Sequence, residues 1–193
     1  GSDPYSKNSL ANQSGEELPQ YVYPLDYDQR HTGTINLDYR FGSEDVPKGV
    51  LGAILKNLGA NVLFSFSSGR PYTKTSLPTA STGTTGDIFL SAKNETYTDW
   101  NFQVDLRVDK MVQLWKTNLD FYVYVINLLN SELVETVFPA TGSPYYNGYL
   151  LTPSGASLYA TNATFRKLYN ERVQFFSNWG PPRQVRFGVN ISF

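Results

Sequence analysis

Cysteine is absent from these 193 residues, and histidine occurs once. The first absence removes disulfides, thiolate zinc sites and cysteine nucleophiles. The second leaves no pair of imidazoles for a histidine metal site. Charge is scarce, and 16 basic against 17 acidic residues leave a net charge of -1. Nucleic-acid binding through bulk positive charge is thereby excluded. Long apolar runs are missing too. A membrane-spanning helix needs roughly 18 or more apolar residues in succession, whereas the runs here are as short as 62–64 or 123–126. Hydrophobic and charged residues, at 40% and 17%, both fall below the roughly 45–50% and 25% of ordinary soluble domains. Aromatics take their place, with 14 Tyr, 12 Phe and 3 Trp, too many for a chain disordered by charge.

What is present is alternation. Over residues 183–193, Val185, Phe187, Val189, Ile191 and Phe193 point one way, and Gln184, Arg186, Gly188, Asn190 and Ser192 the other, as along a strand. In residues 34–41, Ile35, Leu37, Tyr39 and Phe41 oppose Thr34, Asn36, Asp38 and Arg40. Ala60, Val62, Phe64 and Phe66 oppose Asn61, Leu63, Ser65 and Ser67. Phe102, Val104, Leu106 and Val108 oppose Gln103, Asp105, Arg107 and Asp109. Leu119, Phe121, Val123 and Val125 oppose Asp120, Tyr122, Tyr124 and Ile126. Five strands are predicted, with a short sixth over residues 133–138. Most run about 8–12 residues, near the ~9–11 of a tilted strand crossing a bilayer and above the ~5–6 of globular strands. The expectation is an all-β chain: an antiparallel meander of transmembrane β-barrel strands, forming a partial barrel whose apolar face meets lipid. The alternative on the same pattern is an amphipathic sheet packed on a core.

The links alternate in length. Residues 111–118 hold a tight reversal around Trp115-Lys116-Thr117, and residues 42–58 make a middling link. Residues 69–99 and 129–182 are long and rich in Gly, Ser, Thr, Asn, Pro and Tyr. Outer-membrane barrels have short periplasmic turns and longer outer loops. With the last strand running inward, residues 1–28, 69–99 and 129–182 fall outside, and the 42–58 link and Trp115 fall inside. Leu51, Ile54, Leu55 and Leu58 share one face of a short helix that Gly59 would stop. Asn162 predicts a cap for another, carrying Phe165, Leu168 and Tyr169.

Several blocks stand in a recognisable order. Tyr23-Pro24-Leu25-Asp26-Tyr27-Asp28-Gln29-Arg30-His31-Thr32 leads to Asp38-Tyr39-Arg40-Phe41-Gly42. Ser68-Gly69-Arg70-Pro71-Tyr72, Leu106-Arg107-Val108-Asp109-Lys110 and Val125-Ile126-Asn127-Leu128-Leu129-Asn130 follow, and Gly180-Pro181-Pro182-Arg183-Gln184-Val185-Arg186-Phe187-Gly188 opens the last strand. The series, over residues 23–193, resembles the C-terminal barrel of TonB-dependent outer-membrane receptors. It is closest to the Oar-like group, whose members often carry a carboxypeptidase-regulatory-like domain. The resemblance implies residues 1–28 as an extracellular lead-in loop and residues 29–193 as the end of a barrel in the bacterial outer membrane. The plug domain and most of the barrel would belong to a longer receptor. Its implied partners are outer-membrane lipid, the rest of the receptor, the TonB complex reached through the plug, the barrel assembly machinery and an extracellular solute. Arg186, Gly188, Ile191 and Phe193 are similar to the assembly signal of a last strand, with Ile191 where an aromatic is usual. No cofactor, metal site or catalysed reaction is expected.

Within that frame Asp38, Arg40, Asp105, Arg107, Asp109 and Asp120 are expected to face the lumen. They would form either a solute- or plug-contacting surface or a ladder of charge pairs across strands. Asp105 and Asp109 do not suit paired-carboxylate catalysis, since i and i+4 in a strand lie ~13 Å apart. His31 with Asp26, Asp28 and Arg30 lacks a nucleophile motif and is read as ordering the chain at the barrel rim. Tyr27, Tyr72, Tyr97, Trp100 and Trp179 fall at outer strand ends, and Tyr39, Phe41, Trp115 and Phe193 at inner ends, where interface aromatics belong. Loops 77–97 and 137–178 are expected to touch ligand or a surface partner. A complete small barrel acting as porin or adhesin, and a soluble ligand-binding β-barrel, are the alternatives.

Overall fold

The computed structural model describes residues 22–42, 44, 46–82, 88–174 and 176–193. Most of the lead-in loop assigned to residues 1–28 therefore lies outside the described residues. The elements in chain order are β1 (Thr32–Arg40), α1 (Val50–Leu55), β2 (Leu58–Ser67), β3 (Pro71–Tyr72), β4 (Thr96–Tyr97), β5 (Asn101–Leu114), β6 (Thr117–Ile126), α2 (Pro153–Thr161), α3 (Ala163–Val173) and β7 (Gln184–Ser192). The chain is mostly antiparallel sheet with few helices. It divides into two compact units.

The first unit comprises His31–Ser67, Asn101–Leu133 and Pro181–Phe193. It is one sheet in the order β1-β2-β5-β6-β7, antiparallel throughout. Register preserves the alternation read from the sequence. Ile35 faces Phe64 and Phe64 faces Val104; Leu106 faces Val125 and Val125 faces Val185. The apolar rows of all five strands therefore share one face, and the polar rows the other. β1 and β7 are the edges, and no closed barrel forms among the described residues. Leu114 pairs with Thr117 around Trp115, whose φ of 59° places a bulky side chain in the left-handed region.

The second unit comprises the described residues up to Arg30 with Ser68–Trp100 and Val134–Gly180. β3 and β4 pair there. Gly69 runs so close to Thr98 that a Cβ would stand 1.7 Å from its carbonyl oxygen, which explains the glycine of Ser68-Gly69-Arg70. Tyr149, Tyr169 and Val173 form a small core, with Leu150, Tyr159 and Phe165 against it.

Three local expectations need correction. Residues 133–138 form no strand; they make only single bridges, Val134 to Trp179 and Phe138 to Ser143. Pro139 removes the next backbone donor that a ladder would need. The 42–58 link does contain a helix, but Gly59 does not stop it. The helix ends at Leu55, the chain turns at Asn57 with φ 57°, and Gly59 lies inside β2. Asparagine tolerates that left-handed conformation. Asn162 caps α3, accepting from the Phe165 N–H at 2.9 Å, yet Leu168 is exposed and the buried row is Phe165, Tyr169 and Val173. α2 was not anticipated. Thr152 Oγ1 accepts from the Gly155 N–H at 3.1 Å, and Pro153 occupies the first helical turn, a standard helix start.

Candidate functional site

The polar face of the sheet holds the six charged residues together. Arg40 on β1 donates from Nη2 to Asp109 Oδ2 on β5 at 2.7 Å, passing over β2. Register sets Gly59 between them. A Cβ there would meet Arg40 Nη2 at 2.7 Å and Asp109 Oδ1 at 2.9 Å. The glycine is what lets the pair form. Arg107 stands 4.0 Å from Asp109 and 3.6 Å from Asp120, with its guanidinium 4.9 Å above the Tyr122 ring. Tyr122 in turn covers Gly188 on β7.

Asp105 and Asp109 are only 8% and 7% exposed. Asp105 accepts from Gln103 Nε2 at 2.7 Å, the Tyr124 hydroxyl at 3.2 Å and the Asn127 N–H at 2.9 Å. Asp120 accepts from Asn190 Nδ2 at 3.3 Å, while its Oδ1 is buried without a partner. Asn61 Nδ2 bridges Asn36 Oδ1 at 2.7 Å and Asp38 Oδ1 at 3.4 Å. The arrangement is a fixed wall of alternating charge that can order water or polar solutes along it. Both charge signs are largely paired across strands.

Asn127 was quoted in the sequence only as part of a block. It is fully buried, with φ 54°. Besides holding Asp105, it donates from Nδ2 to the Ser131 carbonyl at 2.9 Å and accepts from the Ser131 N–H at 2.8 Å. It shapes the chain as it leaves β6. The signal was the residue type: asparagine combines left-handed tolerance with a donor and an acceptor.

Buried asparagines also pin the second unit. Asn94 Nδ2 donates to the Pro24 carbonyl at 2.8 Å and to Asp26 Oδ1 at 2.6 Å. Asn147 Oδ1 accepts from the Tyr169 hydroxyl at 2.7 Å and the Tyr149 N–H at 3.0 Å. Asn178 Nδ2 donates to the Pro144 carbonyl at 2.9 Å. Burial raises the Tyr169 hydroxyl above its ordinary 10.0, and burial followed by the nearby Asp99 charge raises Tyr72 likewise. Arg70 pairs with Glu135 at 2.5 Å. A cavity of about 940 Å³ opens in this unit, with Tyr23, Phe89, Lys93, Tyr97, Glu95 and Arg30 in its wall. Arg30 lies 5.3 Å over the Tyr97 ring and Lys93 4.2 Å over Tyr23. This cavity draws on the 77–97 loop.

The expected rim aromatics separate into two groups. Tyr27 and Trp100 are exposed, and Trp115 and Phe193 are almost wholly exposed. Trp179 instead packs on Tyr145 with ring centroids 4.8 Å apart, and the Tyr72 hydroxyl lies against Gly142. Both are packed within the second unit. Asp26 and Asp28 are engaged by Asn94, by Arg30 at 3.3 Å and by the Tyr97 hydroxyl at 3.3 Å. Among the described residues, no group of three or more His, Asp or Glu is placed to hold a metal. In the last strand Arg186 is exposed and donates to Gln184 Oε1 at 2.9 Å, and Ile191 projects from the apolar face.

Fold and site together define an open antiparallel sheet with one apolar face and one ion-paired face. No protein-family model matches the chain, and no curated protein or solved structure is found to be similar to it.

Proposed function

We propose that this chain is the C-terminal barrel segment of a TonB-dependent outer-membrane receptor, which binds a solute outside and passes it through the barrel lumen. One observation carries the reading: in the central strand β5 the carboxylates are more buried than the apolar row. Asp105 and Asp109 are 8% and 7% exposed, while Phe102 and Val112 on the opposite face are 50% and 39% exposed. A sheet in water buries its apolar rows; one lining a barrel in lipid turns them outward. Of the buried hydrophobic residues described, Tyr149, Tyr169 and Val173 lie in the other unit and Leu133 follows β6, so none lies in a strand of the sheet. The sheet's two edges support the same reading. Unpaired backbone groups in hydrocarbon cost several kcal/mol each, so further strands of the receptor would flank β1 and β7. The Arg40–Asp109 and Arg107–Asp120 pairs then belong to the lumen wall, and the long links to the outer side. Plug domain, TonB complex and assembly machinery are partners of the whole receptor.

The test is solubility of the full chain. The chain is expected to need detergent to stay in solution, and on removal of detergent to aggregate. A chain that stays monodisperse in detergent-free buffer overturns the proposal in favour of a soluble β protein.

A further inference from the structure

We infer that α1 is an in-plane membrane helix whose partner is the phospholipid headgroup layer. The inference rests on the lipid-facing role proposed for the apolar face. Lys110 carries it. Register sets Lys110 between Leu58 and Phe121, in the row that holds Val108 and Val112. Its side chain therefore leaves the sheet on the apolar face. An unpaired lysine there would be strongly unfavourable at mid-bilayer and nearly neutral close to the interface. Here the ammonium is fully engaged. Its Nζ donates to the carbonyl oxygens of Ala53 at 2.9 Å, Ile54 at 2.8 Å and Lys56. Three donors meet three acceptors at the C-terminal end of α1, where the peptide dipoles favour a cation. Those bonds hold the last turn of α1 on the apolar side of the sheet.

The helix does not turn its own apolar residues inward. Val50, Leu51 and Ile54 are 80%, 61% and 57% exposed. Two observations select lipid as what covers them. The first is continuity. Lys110 borders a shallow groove of about 480 Å³ that runs over Phe121, Val123, Phe187 and Val189, so α1 adjoins the surface proposed to meet hydrocarbon. The second is charge placement. Glu44, Asp45 and Lys48 precede α1, but Lys56 at its C-terminal end and Lys116 in the β5–β6 turn are exposed, with Trp115 97% exposed beside Lys116. Lysines suit headgroup phosphates, and tryptophan suits the membrane–water boundary. α1 has six residues, too few to bind a membrane by its own apolar face, so Lys110 holds it there.

The absence of cysteine allows a clean spin-label test on the full chain in phosphatidylethanolamine–phosphatidylglycerol vesicles. Nitroxides are placed on Leu51→Cys, Ile54→Cys and, as reference, Phe187→Cys. Collision with dissolved oxygen is expected to exceed collision with a water-soluble nickel chelate at all three. If Phe187→Cys is shielded from nickel while both α1 labels are open to it, the helix inference fails and the receptor reading stands. If Phe187→Cys is itself open to nickel, the receptor reading fails. Labels on α1 shielded from both reagents mean protein covers the helix, which also overturns the inference. Lys110→Met is expected to increase the mobility of the Leu51→Cys label and leave that of Phe187→Cys unchanged. Unchanged mobility on α1 refutes the role given to Lys110.

Discussion

Arg40 reaches Asp109 across an intervening strand because Gly59 presents no side chain between them. A methyl group at residue 59 would meet both ends of the pair, so one of them must shift. Gly59→Ala is expected to destabilise the sheet by about 1–3 kcal/mol, the usual range for overpacking, measured by urea unfolding of the full chain in micelles. Arg40→Leu should destabilise in the same direction by leaving Asp109 buried without its closest cation. Asn127 makes a second residue-scale case. Asn127→Ala removes the bonds to Ser131 and places alanine at φ 54°, at a cost of about 2–4 kcal/mol from lost hydrogen bonds and left-handed strain together. Asn127→Gly restores the backbone but not the bonds, so it should fall between the two. Six charged positions of the polar face were legible in the sequence, because parity along a strand fixes side. The roles of Gly59 and Asn127 were not. One depends on a contact between strands 69 positions apart. The other depends on a backbone angle that residue type permits without dictating.

β6 and β7 show how far alternation alone specifies an element. Val189 and Asn190 are neighbours in sequence and lie on opposite faces, opposite Phe121 and Asp120 respectively. Val189→Arg is expected to destabilise the membrane-inserted chain by about 2–4 kcal/mol if it faces mid-bilayer. Asn190→Arg should be near neutral, since it brings a donor toward the unpartnered oxygen of Asp120. Refolding titrations into vesicles would compare them, and equal costs would falsify the face assignment. The helices were harder to read. α3 announced itself through Asn162, but its buried row follows Tyr169 rather than Leu168, because the tyrosine hydroxyl has Asn147 to bond. That packing makes a pH prediction. The raised Tyr169 hydroxyl favours the protonated form in the fold. Its stabilisation is fully present below the unfolded value of 10.0 and is lost as pH rises through the higher folded value. Alkaline titration followed by tyrosinate absorbance should show Tyr169 ionising late together with Tyr72, and Tyr169→Phe should reduce that late component by one tyrosine. The sixth strand over 133–138 was misread since its alternation found no continuous partner.

For the molecule as a whole, the class of architecture was legible and the closure was not. Composition excluded helices long enough to span a membrane, and among the described residues no helix is long and apolar enough to do so; strands cross by a different geometry. Five amphipathic strands follow from local sequence alone; the register that joins them does not. What would flank β1 and β7 in the proposed barrel does not either, because no local pattern names an edge strand's partner. The order β1-β2-β5-β6-β7, antiparallel at each step, nevertheless constrains a barrel of that kind. Directions alternate, so the first and fifth strands point the same way. Laying one against the other, within a chain or between tandem copies, would create a parallel seam. An all-antiparallel ring has an even tally of staves. In the receptor proposed for this chain, five staves come from this sheet, and whatever completes the wall would contribute an odd number.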